Sequence, residues 1–579
     1  MVLLASAIER SIARAPSRPA SQGAGEANAR AEIVGAAEAC DARRMARTPL
    51  LRSLRDLARD VRASQTTGVP LGELREIRAA RGMSRRRFLA GATAGAAALA
   101  LPGQARAGSS HQPKITIVGG GIAGLSCALT LRDHGFESTV YEASGRIGGR
   151  MFSNTGYFAA NQVSEWCGEL IDTGHDTVRG LAARFGLPLD DLHAGEPRGS
   201  KETYQFDGVY YPKAQADADF LDIADILQAD VDAAPFPTTF DSFTPAGFAL
   251  DHLSVRDWIE TRVPGGMSAP LGQLLDTAYH IEYGAETTAQ SALNLVYLLG
   301  FQPGLTQLDL FGESDERFHI RGGNQRLPEA IARHLGDAVV TGHRLVRLAA
   351  TPNGRYRATF ERGGRAIEVV SDLVVLAIPF AVLAAVDTRD AGFDARKRRA
   401  IAELGRGHNG KLNLQFDRRG WRGPGPWPGK ANGSSYADTG YQASWEVTRA
   451  QPGTPGILVL YSGGAVTDAM RSTSPFALAS EPEVAQDATR GLAQLAPMFP
   501  DLSWNGRAAE SLPHKSPLFG ASYSYWRVGQ YTDFGGSEGL PQGGVWFCGE
   551  HTSQDFQGFM EGGASTGTST AEDLIALLR

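Results

Sequence analysis

Three glycines in the spacing Gly119-x-Gly121-x-x-Gly124 stand just after an apolar run, and an acid, Glu142, follows about twenty residues on. That pattern suits a dinucleotide. The first glycine permits a tight turn, the second lets the backbone approach a pyrophosphate, and the third allows close helix–strand packing. Unpaired N–H groups at a helix N-terminus, with the positive end of the helix dipole, favour phosphate. Glu142 can accept hydrogen bonds from a ribose diol. Ile122 and Ala123 at the helix entry, and Ala143 beside Glu142, complete the candidate contact set.

These residues need a strand, a helix and a second strand to hold them. Lys114 to Gly119 reads KITIVG, a β-branched run expected to be a buried parallel strand. Leu125, Ala128, Leu129 and Leu131 give a helical apolar face, His134-Gly135 marks its end, and Ser138 to Tyr141 reads as a second strand. Just beyond Glu142, Gly145-Arg146-x-Gly148-Gly149-Arg150 adds a second glycine turn with two guanidinium groups, which match phosphate oxygens well.

The pairing GGGIAGL…E…GRIGGR resembles the flavin amine oxidase family, and the resemblance extends from about Lys114 to Arg579. It implies FAD, with Glu142 on the adenosine ribose and Arg146, Gly149 and Arg150 near the pyrophosphate and flavin. Val545 to Thr552 reads VWFCGEHT, a buried strand ending in Gly549-Glu550, and Gly558 to Leu578 is a glycine-rich entry into a C-terminal helix. The resemblance implies that Glu550 meets the ribityl–pyrophosphate region and that the helix N-terminus at Met560 points at the flavin pyrimidine. It also implies that Val346, in HRLVRLAAT, meets adenine through its backbone.

The same resemblance supplies candidates for chemistry. Lys411, in LGRGHNGKLNLQF at the start of an alternating strand, matches a lysine that holds a water against the flavin. Tyr523 and Phe559 match the two walls of an aromatic cage, with phenylalanine where the family often has tyrosine. Ser522 stands where some members carry a cysteine bonded to the flavin, so noncovalent FAD is expected. The implied reaction is oxidative deamination of a primary amine or polyamine with O2, giving an imine and aldehyde, ammonia and hydrogen peroxide. Two alternatives stay open: an L-amino-acid oxidase giving a 2-oxo acid, basic side chains included, and a non-catalytic flavin-binding maturation partner. Many amino-acid oxidases carry a Gly-x-Met-Arg stretch. Here Ile171 is expected at the arginine's place, with Arg321 or Arg527 as substitutes, while Glu169 and Asp172 are candidates for attracting a cationic amine.

The expected architecture is α/β (mixed α+β): a Rossmann-like FAD-binding domain from 113–190, 318–390 and 538–579, and a discontinuous substrate-binding domain from 191–317 and 391–537. The chain of 579 residues carries a net charge of −6 and no basic-aromatic stripe, so no nucleic-acid partner is expected. Its four cysteines, Cys40, Cys127, Cys167 and Cys548, form no CxxC and no zinc spacing with histidine, so no metal site is expected. Ser84-Arg85-Arg86-Arg87-Phe88-Leu89, an apolar run to Leu101 and Ala105-Arg106-Ala107 read as a twin-arginine export signal over 83–107. The run is too short for a stable membrane span. A periplasmic or secreted protein delivered by the twin-arginine machinery is expected, with 1–82 either an extension or sequence upstream of a true start at Met83.

Overall fold

The computed structural model describes residues 112–302 and 307–579. The expected extension and export signal lie outside the described residues.

A five-stranded sheet is wholly parallel, in the order Val545–Phe547, Leu373–Leu376, Ile115–Val118, Ser138–Tyr141 and Val339–Val340. All four residues of Ile115–Val118 are buried, as a strand covered on both faces requires. The helix Ile122–Asp133 crosses between the first two strands and ends at Gly135, whose φ of +83° an L side chain would resist.

This helix is also covered on its outer side. The C-terminal helix Met560–Leu578 packs against it through glycines. A Cβ on Gly567 would stand 2.1 Å from the Ala123 carbonyl oxygen, and one on Gly563 would stand 3.0 Å from Ile122 Cγ2. The chain's last helix therefore lies backbone to backbone on its first nucleotide-binding turn.

An antiparallel sheet of Arg344–Ala350, Tyr356–Arg362 and Arg365–Ser371 follows the parallel layer. Gly363 and Gly364, both at positive φ, make its two-residue hairpin loop. The register shifts between Leu345 and Arg347, which leaves Val346 as the bulged residue.

The third layer is a nine-stranded sheet. Its central strand Asn409–Phe416 lies between Trp504–Ser511 and Gly456–Gly463. Every residue of that strand is buried, yet polar and apolar residues alternate. Leu412, Leu414 and Phe416 enter an apolar cluster with Trp421. The opposite face carries Asn409, Lys411, Asn413 and Gln415. The period of two thus turns a row of buried polar groups toward the rest of the molecule. Helices Pro270–Tyr283 and Ala292–Leu299 cover part of this layer through a core holding Trp258 and Tyr279. Among the described residues no helix is long and apolar enough to cross a membrane.

The helix–helix contact is testable. Gly567→Ala raises intrinsic helix propensity by about 1 kcal/mol, but its Cβ meets a backbone carbonyl that cannot rotate away, an overpacking cost of roughly 1–3 kcal/mol. We expect a net loss of stability, read as a lower thermal midpoint. A midpoint equal to or above that of the parent would show that the two helices separate freely.

Candidate active site

The two glycine turns meet at the edge of the parallel sheet. Gly119 adopts φ +110°, and a Cβ there would stand 2.5 Å from the Ala377 carbonyl. Gly121 bridges to Gly148, and a Cβ on Gly149 would stand 3.4 Å from Gly121 Cα. The turns are bare backbone facing bare backbone, which leaves room for a phosphate. Glu142 ends the second strand. Its Oε2 accepts from the Gly120 N–H at 2.8 Å and its Oε1 from the N–H and hydroxyl of Ser144, each at 2.8 Å. A carboxylate offers about four acceptor sites, so Glu142 retains capacity for a ribose hydroxyl.

One cavity of about 700 Å3 is lined by Lys411, Tyr523, Phe559 and all the expected cofactor residues except Gly124. Gly124 is instead pressed into the helix–strand contact, where a Cβ would stand 2.1 Å from the Gly119 oxygen. Its place is packing, the third glycine's part in the motif. The cradle without side chains, the free acceptor site of Glu142, the guanidinium groups and the cavity's size fit FAD.

Glu550 is differently placed from Glu142. Its Oε1 accepts from Arg150 at 3.1 Å and the Ser524 N–H at 3.3 Å, and its Oε2 from the Ser524 hydroxyl at 2.8 Å and the Gly558 N–H at 2.9 Å. Burial alone would raise this carboxyl, but Arg150, His551 and these donors outweigh it and hold the pKa below the ordinary carboxylate value. All four acceptor sites are taken, so Glu550 knits its neighbours together. Arg150 also donates to the Ser522 carbonyl at 2.8 Å. Arg146 is turned back onto the Ile147 and Gly149 carbonyls and lies over the Phe152 ring at 3.9 Å.

Lys411 is buried and holds the wall of the cavity through two hydrogen bonds. Its Nζ donates to Glu169 Oε2 and to the Cys167 carbonyl, each at 2.7 Å, and Trp445 Nε1 donates to Glu169 Oε1 at 2.9 Å. Burial would raise the Glu169 carboxyl, but the Lys411 charge and these hydrogen bonds prevail and lower it. Trp445 packs edge-on to Tyr461 at 5.0 Å, and the Tyr461 hydroxyl lies 3.0 Å from that of Tyr523, which donates to the Ile281 carbonyl at 3.1 Å. Phe559 caps the C-terminal helix and packs edge-on to His175 at 5.3 Å.

Four sequence expectations need correction. Ile171 is fully buried, bridged to Phe318, and does not line the cavity; its neighbour Leu170 does. Arg321 is exposed on the surface with Asp190, and Arg527 is exposed outside the cavity, so neither reaches a substrate there. Glu169 is neutralised by Lys411. Asp172 lies behind the wall, where its Oδ1 accepts from the Glu316 N–H at 2.9 Å.

Two further acids line the cavity, Glu282 and Glu316, with Tyr283 and Tyr436 beside them. Sequence reasoning missed all four, along with Trp445 and Tyr461. Glu316 holds φ +46°, a strained value for a residue with a Cβ. Burial, with the Asp172 carboxylate, pushes its carboxyl up to about 8, and burial with Glu316 and Asp172 raises Glu282 well above its ordinary value. An acid whose pKa is raised on folding contributes stability that is complete below its unfolded value and is lost as pH rises through the folded value. For Glu316 that window runs from 4.5 to about 8. We expect Glu316→Gln to match the parent's thermal midpoint near the low end and exceed it near the high end. Parallel pH profiles for the two proteins would contradict the raised carboxyl.

Residues 122–575 match the family model described as flavin containing amine oxidoreductase. An L-amino acid dehydrogenase of Synechocystis sp. is 24% identical over 488 residues, covering 80% of this chain and 94% of that protein. Polyamine oxidase 2 of Arabidopsis thaliana is also 24% identical, over 490 residues, covering 80% and 88%. A solved cofactor-binding variant of putrescine oxidase superposes with a TM-score of 0.66 at 20% identity, covering 80% of this chain and 99% of that one, a likeness of fold. With the family model running from the helix after the first glycine turn, through the strand Asn409–Phe416, into the C-terminal helix, this chain belongs to the flavin containing amine oxidoreductase family and is an FAD-dependent enzyme.

Proposed function

We propose that the chain oxidises a primary amine carrying a second positive charge, a diamine or polyamine: R–CH2–NH2 + O2 + H2O gives R–CHO + NH3 + H2O2. The observation that carries this reading is the pair Glu282 and Glu316. Both line an aromatic cavity, and neither forms an ion pair with a cationic side chain among the described residues. Uncompensated carboxylates in a desolvated site are unfavourable when ionised, and a substrate ammonium beside them restores the charged form.

Bound FAD supplies the two-electron acceptor for the C–H bond next to the reacting nitrogen. The chain's own groups orient that nitrogen and keep bulk water away. Tyr523, tied through its hydroxyl to Tyr461 and the Ile281 carbonyl, is a fixed wall, and Phe559 is the candidate for the other. An ammonium has three donors. Two of those on Lys411 are used by Glu169 and Cys167, and the third is left to hold a water in the cavity.

The amino-acid alternative needs a cation for a carboxylate. The lining arginines are already committed, Arg150 to Glu550 and Ser522, Arg146 to backbone carbonyls and Arg344 to Glu361. This supports an amine over an α-amino acid.

Peroxide release under air tests the proposal, with monoamines, diamines, polyamines and L-amino acids offered to the FAD-loaded enzyme. We expect a diamine to show a KM lower than its matched monoamine by roughly 10-fold or more, since a hydrogen bond to a charged group contributes about 1.5–3 kcal/mol. The double variant Glu282→Gln/Glu316→Gln should erase that preference and leave the monoamine KM unchanged. Turnover of L-amino acids alone would overturn the reading.

A further inference from the structure

The ends of three neighbouring strands bring together side chains that the reaction does not use. His408 immediately precedes the central strand Asn409–Phe416. Asp468 closes the short helix that follows Gly456–Gly463, and His514 sits in the turn that follows Trp504–Ser511. These strands are adjacent, with Asn409 opposite Gly463 and Lys411 opposite Ser511. The fold therefore places two imidazoles and a carboxylate at one edge of the sheet, although 60 residues separate His408 from Asp468 in the chain.

The three side chains stand close enough to share one ion. One ligand atom from each residue lies within 4.8 Å of the other two. His408 Nδ1 is 2.9 Å from Asp468 Oδ1, and His514 Nε2 is 3.7 Å from the same oxygen. Ligand atoms around a tetrahedral zinc stand roughly 3.4 Å apart, from bonds of about 2.0–2.1 Å, a value between those two separations. The two rings are stacked at 4.5 Å and 15°.

A second observation comes from His514. Its side chain is 7% exposed, its Nδ1 is buried without a hydrogen-bond partner, and its Nε2 stands beyond hydrogen-bond reach of Asp468. A buried imidazole nitrogen without a hydrogen-bond partner carries an uncompensated desolvation cost. Asp468 is 52% exposed and His408 38%, so the edge is open for an ion to enter.

We propose that His408, Asp468 and His514 form a binding site for a divalent ion of the zinc class, with water completing the coordination. Two imidazoles and one carboxylate are a borderline nitrogen–oxygen set that such ions favour. Cysteine and histidine spacing gave no sign of such a site, because these ligands would be assembled by strand pairing rather than by a local motif. His514 also lines the cavity and Lys411 lies three residues beyond His408, so the ion would pin the turn after Trp504–Ser511 to the strand that carries Lys411.

The test uses the FAD-loaded full chain, stripped with a chelator, dialysed against zinc chloride, and assayed for bound metal and thermal midpoint. We expect about one zinc per flavin and a raised midpoint. In His408→Gln and Asp468→Asn the affinity should fall by more than the roughly 10–100-fold that loss of an outer-shell partner costs, with the flavin spectrum kept as evidence of folding. No zinc retained by the parent would overturn the site whatever the variants do. Equal zinc binding in parent and folded variants would overturn the assigned ligands.

Discussion

A buried ion pair, Glu169 with Lys411, joins the two walls of the cavity. Glu169 comes from the segment after the second glycine turn and Lys411 from the polar face of the nine-stranded sheet. Removing one partner of a buried pair costs about 3–5 kcal/mol, because the other charge is left uncompensated. Lys411 could not occupy that interior without Glu169. Trp445 and the Cys167 carbonyl fix the geometry of both, and through Trp445 the arrangement extends to Tyr461 and Tyr523. The orientation of one aromatic wall thus depends on a pair made between distant segments.

The cofactor side follows a different rule: close approach of backbone. Gly121 and Gly149 face each other as bare backbone, and a side chain on Gly119 or Gly567 would meet the carbonyl of Ala377 or Ala123. Glu550 closes this region by using all its acceptor sites on Arg150, from the second glycine turn, and on Ser524 and Gly558, from near the C-terminal end. Glu142, with an acceptor site to spare, is the acid suited to a ligand. Two carboxylates in similar sequence settings, each after a strand, separate into a binding group and a structural one by counting donors.

How much of this was legible in the sequence depended on the range of the interactions. The βαβ turn, Glu142, the second glycine turn and the C-terminal helix rest on local patterns, and each was readable. Lys411 and Tyr523 were located through family resemblance, since strand periodicity alone leaves a lysine's surroundings open. Ile171 shows the limit of local reading. A one-residue displacement along an extended chain exchanges the two faces, and the bridge to Phe318 sends Ile171 into the core and leaves Leu170 at the cavity. Glu282 and Glu316 had no readable signal. One lies near the end of a helix and the other just before a short strand, and only tertiary packing brings both to the cavity. The His408–Asp468–His514 cluster was hidden for the same reason.

On the proposed reading, one cavity holds both the flavin and an acid-lined place for a second charge. Anaerobic titration of the FAD-loaded enzyme with a diamine and with the monoamine of equal length tests it most directly. We expect bleaching of the flavin absorbance by both, with the diamine saturating at a lower concentration. Bleaching by neither amine, or saturation by the monoamine at the lower concentration, would contradict it.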